Sequence, residues 1–191
     1  MRVIIGVTGA SGSIYAWRLL HKLQKMDATE THLILTRSAE RTAYLELSKT
    51  VGDFKKLADF WYPVEDISTR LASGSFLTDA MIIAPCSIHT MSAICSGISS
   101  NLLIRAADVI LKERRKLILM VRETPFHLGH LKSMTSLTEM GAIIAPPVPG
   151  FYHHPQTVED LVDHSIDRVL DLAGLSNESA LRWDGPQKDP A

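Results

Sequence analysis

Three glycines, Gly6, Gly9 and Gly12, space the small-residue run Thr8-Gly9-Ala10-Ser11-Gly12 between an apolar stretch and a helical pattern. The stretch Arg2-Val3-Ile4-Ile5-Gly6-Val7 is rich in β-branched residues and reads as a strand buried on both faces. Beyond the turn, Tyr15, Ala16, Leu19, Leu20 and Leu23 form one stripe of a 3.6-residue period. A strand, a small-residue turn and a helix N-terminus together make an anion site. Free N–H groups and the helix dipole converge there, and glycine lets a phosphate approach the backbone. The same turn also reads as nothing more than a tight βα connection. It lacks the G-x-G-x-x-G spacing of dinucleotide folds, and no Gly-Lys-Ser/Thr closes it as a P-loop.

Other polar residues gather where further strands end. His32 to Thr36 reads as a strand followed by Arg37. Ala80 to Ala84 reads as a strand ended by Pro85, with Cys86-Ser87 next and Ser87 placed as a helix N-cap. Leu117 to Val121 leads to Arg122-Glu123, and Ala142 to Ala145 leads through Pro146-Pro147 to Phe151-Tyr152-His153. In open α/β sheets, ligands bind outside the carboxyl ends of the strands. Small hydroxyls, helix N-termini and an arginine in those places suit a phosphorylated ligand. Plainer readings stand beside this one: Ser87 as a cap alone, Arg122 as a surface ion-pair partner, Asp108 with Lys112 as a helix-surface pair, and Arg168 snorkelling from an apolar stripe. His127 and His130 share a helix face without a third metal ligand at a clear spacing, so no metal site is assigned. Cys86 sits at a helix N-terminus, where a thiol pKa can fall, but no base is assignable to it and it reads as structural.

The elements that position these residues alternate. Helices are predicted over 38–49, from about Ile88, over 102–115, and from Leu128 to near Gly141; residues 51–79 resist assignment. The last helix has the clearest period, Val158, Leu161, Val162, Ile166, Val169 and Leu170, with Thr157 as N-cap and Asp160 three residues on. Strand–helix alternation of this kind means one α/β doubly wound parallel sheet with helices on both faces, Rossmann-like, over residues 1–175, with 176–191 as a polar C-terminal tail. The chain has 191 residues, 46% hydrophobic and 21% charged, with net charge −1, so no basic field argues for nucleic acid. No apolar run approaches the roughly 20 residues that span a bilayer. Met1-Arg2 leads into a strand without a signal-peptide pattern, and two cysteines lie at no metal-type spacing, so a cytoplasmic location is expected.

Several of these stretches, in order, resemble the UbiX-type flavin prenyltransferases, formerly described as aromatic or phenylacrylic acid decarboxylases. They are Gly9-Ala10-Ser11-Gly12, Ser73-Gly74-Ser75, Ala84-Pro85-Cys86-Ser87, Arg105-Ala106-Ala107-Asp108-Val109, Leu111-Lys112-Glu113-Arg114-Arg115, Arg122-Glu123-Thr124-Pro125 and Pro149-Gly150-Phe151-Tyr152-His153. The resemblance runs to about Leu175 and continues weakly to Arg182-Trp183. It implies reduced FMN and dimethylallyl monophosphate as substrates, a prenyl group joined to flavin N5 and then closed onto C6, and prenylated FMN as a product for a UbiD-type decarboxylase, often in ubiquinone synthesis. It implies a dodecamer with active sites between subunits. The apolar and aromatic content of the unassigned segment around Phe60-Trp61-Tyr62 fits a large homo-oligomer.

Carried over by motif, Gly9, Ala10, Ser11, Thr36, Ser87, Ile88, His89, Thr90 and Arg122 would hold the flavin. Thr36 keeps the hydroxyl of the serine that many relatives have, and His89 stands where relatives vary. Lys112, Tyr152 and Arg168, with Arg105, would bind the prenyl phosphate, and Glu46 and Glu123 would handle protons near the flavin ring. The chemistry suits these types: an allylic cation develops as phosphate departs, cations stabilise that anion, Tyr152 adds a hydrogen bond, and no metal is required. Two other readings remain: an FMN-dependent decarboxylase, whose Pro-x-Met-Asn type motif is absent, and a flavin carrier, which would not need Glu46, Lys112, Tyr152 and Arg168.

Overall fold

The structure is a computed structural model that describes residues 1–175 together with Arg182 and Gly185. The tail predicted over 176–191, with Trp183, lies otherwise outside the described residues. Six strands form one all-parallel sheet: β1 (Arg2–Val7), β2 (Glu30–Leu35), β3 (Phe60–Pro63), β4 (Ala80–Cys86), β5 (Lys116–Val121) and β6 (Ile143–Ile144). Their order is β3-β2-β1-β4-β5-β6, so the chain reverses its direction of travel between β1 and β4. In open α/β sheets such a reversal places the ligand crevice at the carboxyl ends of those two strands.

The helices are α1 (Ser13–Leu23), α2 (Arg37–Leu47), α3 (Val51–Lys55), α4 (Ile88–Cys95), α5 (Leu102–Lys112), α6 (Leu128–Glu139) and α7 (Val158–Ala173). Alternation along the strands feeds two cores. Val3, Ile5, Val7, Ile82 and Ala84 pack against Leu19, Leu20, Val162, Ile166 and Leu170 of α1 and α7. Ile4, Met81 and Ile83 face Met91 of α4 and Leu103, Ala106 and Ile110 of α5 on the other side. Both faces are covered, which is why the strands read as continuous apolar runs. Removing one such fully buried side chain, as in Leu103→Ala, costs about 2–5 kcal/mol.

The predicted elements are present with shifted ends. The second strand starts two residues earlier, at Glu30, and stops at Leu35, because Thr36 caps α2 by accepting from Ala39 N at 3.1 Å. α5 ends at Lys112 instead of Arg115. Pro85 does not stop β4: the strand passes through it to Cys86 with an irregular register against β5, which accommodates a residue without an N–H. β6 shrinks to two paired residues, since after Ala145 N donates to Leu119 O the next residue, Pro146, has no N–H to extend the ladder.

Residues 51–79 hold α3, fixed by a capping box between Thr50 and Asp53, the edge strand β3, and a 3-10 turn at Arg70–Ala72. Phe60-Trp61-Tyr62 form the edge strand of the sheet: β3 pairs with β2, Tyr62 is buried, and Phe60, itself partly exposed, stacks on His32 at 5.0 Å. His32 is wholly buried and links two elements, with Nδ1 2.9 Å from the Tyr62 hydroxyl and Nε2 2.8 Å from Glu30 Oε1. Arg2 holds the same Glu30 oxygen at 2.6 Å, while Phe76 meets His32 edge-on and Arg70 lies over Phe60 and Phe76.

Burial lowers the pKa of His32 below 6.5, against the pull of Glu30 and with help from Arg2 and Arg70. Glu30 is itself held below 4.5, first by Arg2 and then by His32, and does not titrate in the same range. A histidine whose folded value is lowered contributes in full above 6.5 and loses that contribution as the pH falls through it. We therefore expect denaturant stability to decline as the pH falls from 6.5 through the lowered folded value of His32. His32→Leu should flatten that slope and cost about 1–3 kcal/mol at about pH 7.5, because it leaves the buried Tyr62 hydroxyl without its partner, while Glu30 keeps Arg2. An unchanged slope in the variant would contradict the assignment.

Candidate functional site

The crevice between β1 and β4 is built around Thr8. Its hydroxyl donates to Pro85 O at 2.7 Å and accepts from Ser87 N at 2.8 Å, which locks the two strand ends together. Arg122 N donates to Cys86 O at 3.1 Å and adds the end of β5 to the same edge. Gly9 lets the β1 turn close on α2: a Cβ there would fall 2.4 Å from Ser38 Cβ. Thr42 Oγ1 donates to Gly9 O at 3.2 Å and fixes that approach. Gly12 supplies the left-handed backbone at the head of α1, with φ of 106°.

Three helix N-termini open onto this edge, and they differ in state. That of α1 is filled by a carboxylate of the chain itself. Glu46, on the last turn of α2, accepts from Gly12 N at 3.0 Å and from Ser13 N at 2.8 Å. Burial would raise the pKa of Glu46, but hydrogen bonds from the Ser11 hydroxyl and from the Ser13 and Gly12 amides outweigh it and hold the carboxyl below 4.5. The bare anion site expected at this turn is therefore corrected: its first-turn amides serve Glu46.

The other two ends carry hydroxyls. Thr36 caps α2 and lies 3.2 Å from Ser38 Oγ. Ser87 caps α4 by accepting from Thr90 N at 3.3 Å, and its hydroxyl donates to Thr90 Oγ1 at 3.2 Å. The amides of Arg37, Ser38, Ile88 and His89 lie ahead of the first intrahelical bond of their helices and remain free to bind an anion. Beside them, Arg122 makes no ion pair among the described residues, so its surface-pair reading falls away. Its charge reaches Tyr15 on α1: burial raises that phenol's pKa, and Arg122 opposes the rise without cancelling it. Glu123 follows, accepting from Thr124 N at 2.9 Å. The structure thus brings together Gly9, Ala10, Ser11, Thr36, Glu46, Ser87, Ile88, His89, Thr90, Arg122 and Glu123. Thr8, Ser38 and Thr42 escaped sequence reasoning; the signal for Thr8 was its place between a buried strand and the glycine turn.

The cations expected at a second phosphate do not join them within the chain. Lys112 closes α5 and pairs with Glu113, not Asp108. A Cβ on Gly74 would come within 2.8 Å of Lys112 Nζ, so Lys112 lies against the Ser73-Gly74-Ser75 turn. That turn belongs to the amino-terminal edge of the sheet, where Arg115 donates to Gly74 O at 2.7 Å and Asp79 N donates to Arg2 O at 2.8 Å. Lys112 therefore stands at the sheet edge opposite Ser11 and Ser87. Arg105 is spent on Asp108 at 2.6 Å and Ala72 O at 3.3 Å. Arg168 is exposed on α7 and makes no ion pair among the described residues. α7 lies alongside α1, with Arg18 pairing to Asp163 and Lys22 to Asp167, so Arg168 is level with the far end of α1. Tyr152 is exposed on the loop between β6 and α7.

The remaining polar candidates have structural work. His127 accepts from Gly129 N at 3.0 Å, and His130 Nδ1 lies 3.5 Å from His127 N, so this pair caps α6. Among the described residues, no group of three or more metal-binding side chains gathers. Cys86 is fully buried, and burial pushes its thiol up to about 12, the reverse of activation by a helix end. No helix among the described residues is long and apolar enough to cross a membrane.

Comparison with known proteins gives this arrangement a family. A family model described as Flavoprotein matches residues 1–170. The chain is 49% identical to the flavin prenyltransferase UbiX of Thauera aromatica, over 98% of this chain and 96% of that protein. It superposes with a TM-score of 0.94 on a dodecameric FMN-dependent UbiX-like decarboxylase from Escherichia coli O157:H7, at 45% identity, covering 97% of this chain and 100% of that one. It superposes equally well, with a TM-score of 0.95 at 41% identity, on AnUbiX (PadA1) in complex with FMN and dimethylallyl pyrophosphate, covering 97% of this chain and 98% of that one. With near-complete coverage at almost half identity, the chain belongs to the UbiX-type flavin prenyltransferase family.

Proposed function

We propose that this chain transfers the dimethylallyl group of dimethylallyl monophosphate to reduced FMN, joining N5 and closing onto C6, and that the prenylated FMN serves a UbiD-type decarboxylase. The observation that carries the reading is the Glu46 carboxylate fixed beside the Ser11 hydroxyl at the head of α1, in a family whose relative AnUbiX binds FMN and dimethylallyl pyrophosphate.

The crevice residues fit a flavin mononucleotide. A phosphate of charge near −2 is repelled from the α1 amides by Glu46, so its place is between the heads of α2 and α4. Thr36, Ser38, Ser87 and Thr90 would hold it there with the free amides of Arg37, Ser38, Ile88 and His89. Gly9, Ala10 and Ser11 then border the ring system, and Arg122 closes its polar edge. When bound, reduced flavin supplies the electron-rich nucleophile. Glu46, kept ionised by its hydrogen bonds, would hold the Ser11 hydroxyl in place beside the ring, and Glu46 and Glu123 would be the carboxylates that handle protons near it. Lys112, Tyr152 and Arg168 stabilise the phosphate that departs, whose charge grows as its C–O bond breaks.

Because Lys112 lies at the far edge of its own sheet, these cations act on the crevice of a neighbouring copy in a homo-oligomer, a dodecamer by kinship with the E. coli structure. Exposed apolar side chains supply contact surface for such an assembly: Phe126, Leu128, Leu131 and Met140 around α6, and Val148 and Phe151 on the β6–α7 loop.

The direct test is mass spectrometry of flavin after incubating the protein with reduced FMN and dimethylallyl monophosphate; unmodified FMN as the sole flavin would refute the activity. Lys112→Ala and Arg168→Ala should each keep FMN and lose about 30- to 900-fold in prenylation rate, the effect of about 2–4 kcal/mol of transition-state stabilisation. Mixed oligomers of Lys112→Ala and Ser11→Ala subunits should regain activity that neither homo-oligomer has, whereas strictly intramolecular sites would give no recovery. Thr8→Val leaves the Ser87 amide without its acceptor and should lower stability by about 1–3 kcal/mol. It should also weaken FMN retention on gel filtration, and Thr8→Ser should restore both.

A further inference from the structure

Tyr152 and Arg168 sit on different elements, a loop and a helix, and one phosphate can meet both only if the loop is held against the helix. The loop over 146–157 is rich in Pro and Gly and exposes Val148, Phe151 and Tyr152. Its far end is tied down where Gln156 N and Thr157 N donate to Asp160 Oδ2, each at 2.9 Å. Nearer Tyr152 the tie to α7 is His164: Gly150 N donates to His164 Nδ1 at 3.3 Å. The Tyr152 ring lies directly against Gly150, since a Cβ there would fall 2.7 Å from Tyr152 Cε2. The His153 ring, next along, is centred 5.6 Å from that of His164 and 6.1 Å from that of Tyr152. On α7, Arg168 follows His164 by four residues, so the two share a face one turn apart.

We infer that His164 is a positioning residue for the prenyl phosphate: its Nδ1 fixes Gly150, and through Gly150 the Tyr152 ring, over the face of α7 that carries Arg168. This rests on the reading that Tyr152 and Arg168 take that phosphate. His164 acts through its acceptor nitrogen, with the ring proton on Nε2. Without that bond, the loop must be ordered by the ligand itself, and the cost falls on the affinity for the prenyl substrate. FMN, held at the β1–β4 crevice, is untouched.

The experiment compares His164→Leu with His164→Asn, whose Oδ1 replaces Nδ1 as an acceptor, beside Tyr152→Phe and Arg168→Ala, in the assembled protein loaded with FMN. His164→Leu should raise the KM for dimethylallyl monophosphate about three- to tenfold, in keeping with one hydrogen bond, while FMN content and oligomeric size stay those of the parent. His164→Asn should restore most of the parent KM. If Tyr152→Phe and Arg168→Ala raise KM but His164→Leu does not, the positioning role is wrong while the phosphate reading stands. If Tyr152→Phe and Arg168→Ala leave KM and kcat at parent values, the phosphate reading itself fails and takes this inference with it. Loss of FMN in both His164 variants, or no rescue by asparagine, would make His164 a packing residue only and overturn the proposal.

Discussion

A carboxylate on the first amides of α1 decides how the rest of the crevice can be used. Glu46 takes the Gly12 and Ser13 N–H groups, the strongest anion position that a βα turn offers. Its folded pKa lies below 4.5, so it remains charged at neutral pH, and this contribution is lost only as the pH falls through that lowered value. Two consequences follow from simple electrostatics. A second anion is excluded from α1 and directed to the unfilled heads of α2 and α4. A charged carboxylate is also left standing beside the Ser11 hydroxyl. The glycine turn, which in dinucleotide folds serves phosphate, here holds a carboxylate of the chain itself.

The sheet then divides the labour. The carboxyl edge between β1 and β4 gathers hydroxyls, free helix amides, Arg122 and the carboxylates of Glu46 and Glu123, fixed by Thr8 bridging Pro85 and Ser87. Lys112 and its turn at Gly74 lie at the opposite edge, and Arg168 stands toward the far end of the α1–α7 pair. A fold of this size holds those two regions apart by the length of its strands. Under the proposed function, their cooperation on one substrate requires copies packed edge to face, and the exposed apolar residues of α6 and the β6–α7 loop offer surface for it.

Much of this architecture was legible in the residues. β1 and β4 read as buried because both their faces are covered, and α7 announced itself through Thr157 and Asp160, which form a capping box. Ser87 and Thr36 were legible as hydroxyls at strand ends. What stayed hidden depended on contacts distant in sequence. Phe60-Trp61-Tyr62 became a strand through pairing with β2 and through His32, partners about thirty positions away. Pro85 conceals a continuing strand because the irregularity that accommodates it lies in the register with β5. Nothing local in α2 says that Glu46 turns back to α1. The family resemblance supplied Lys112, Tyr152 and Arg168 as candidates for a second phosphate, whereas the separation of Lys112 and Arg168 from the head of α1 emerged only from the folded chain.

The most direct test of the central claim is a crystal structure of the protein with FMN bound, read for the position of the phosphorus atom. The account predicts the phosphate between Thr36, Ser38, Ser87 and Thr90, with Glu46 still on the Gly12 and Ser13 amides. A phosphate seated on those two amides, with Glu46 displaced, would contradict it.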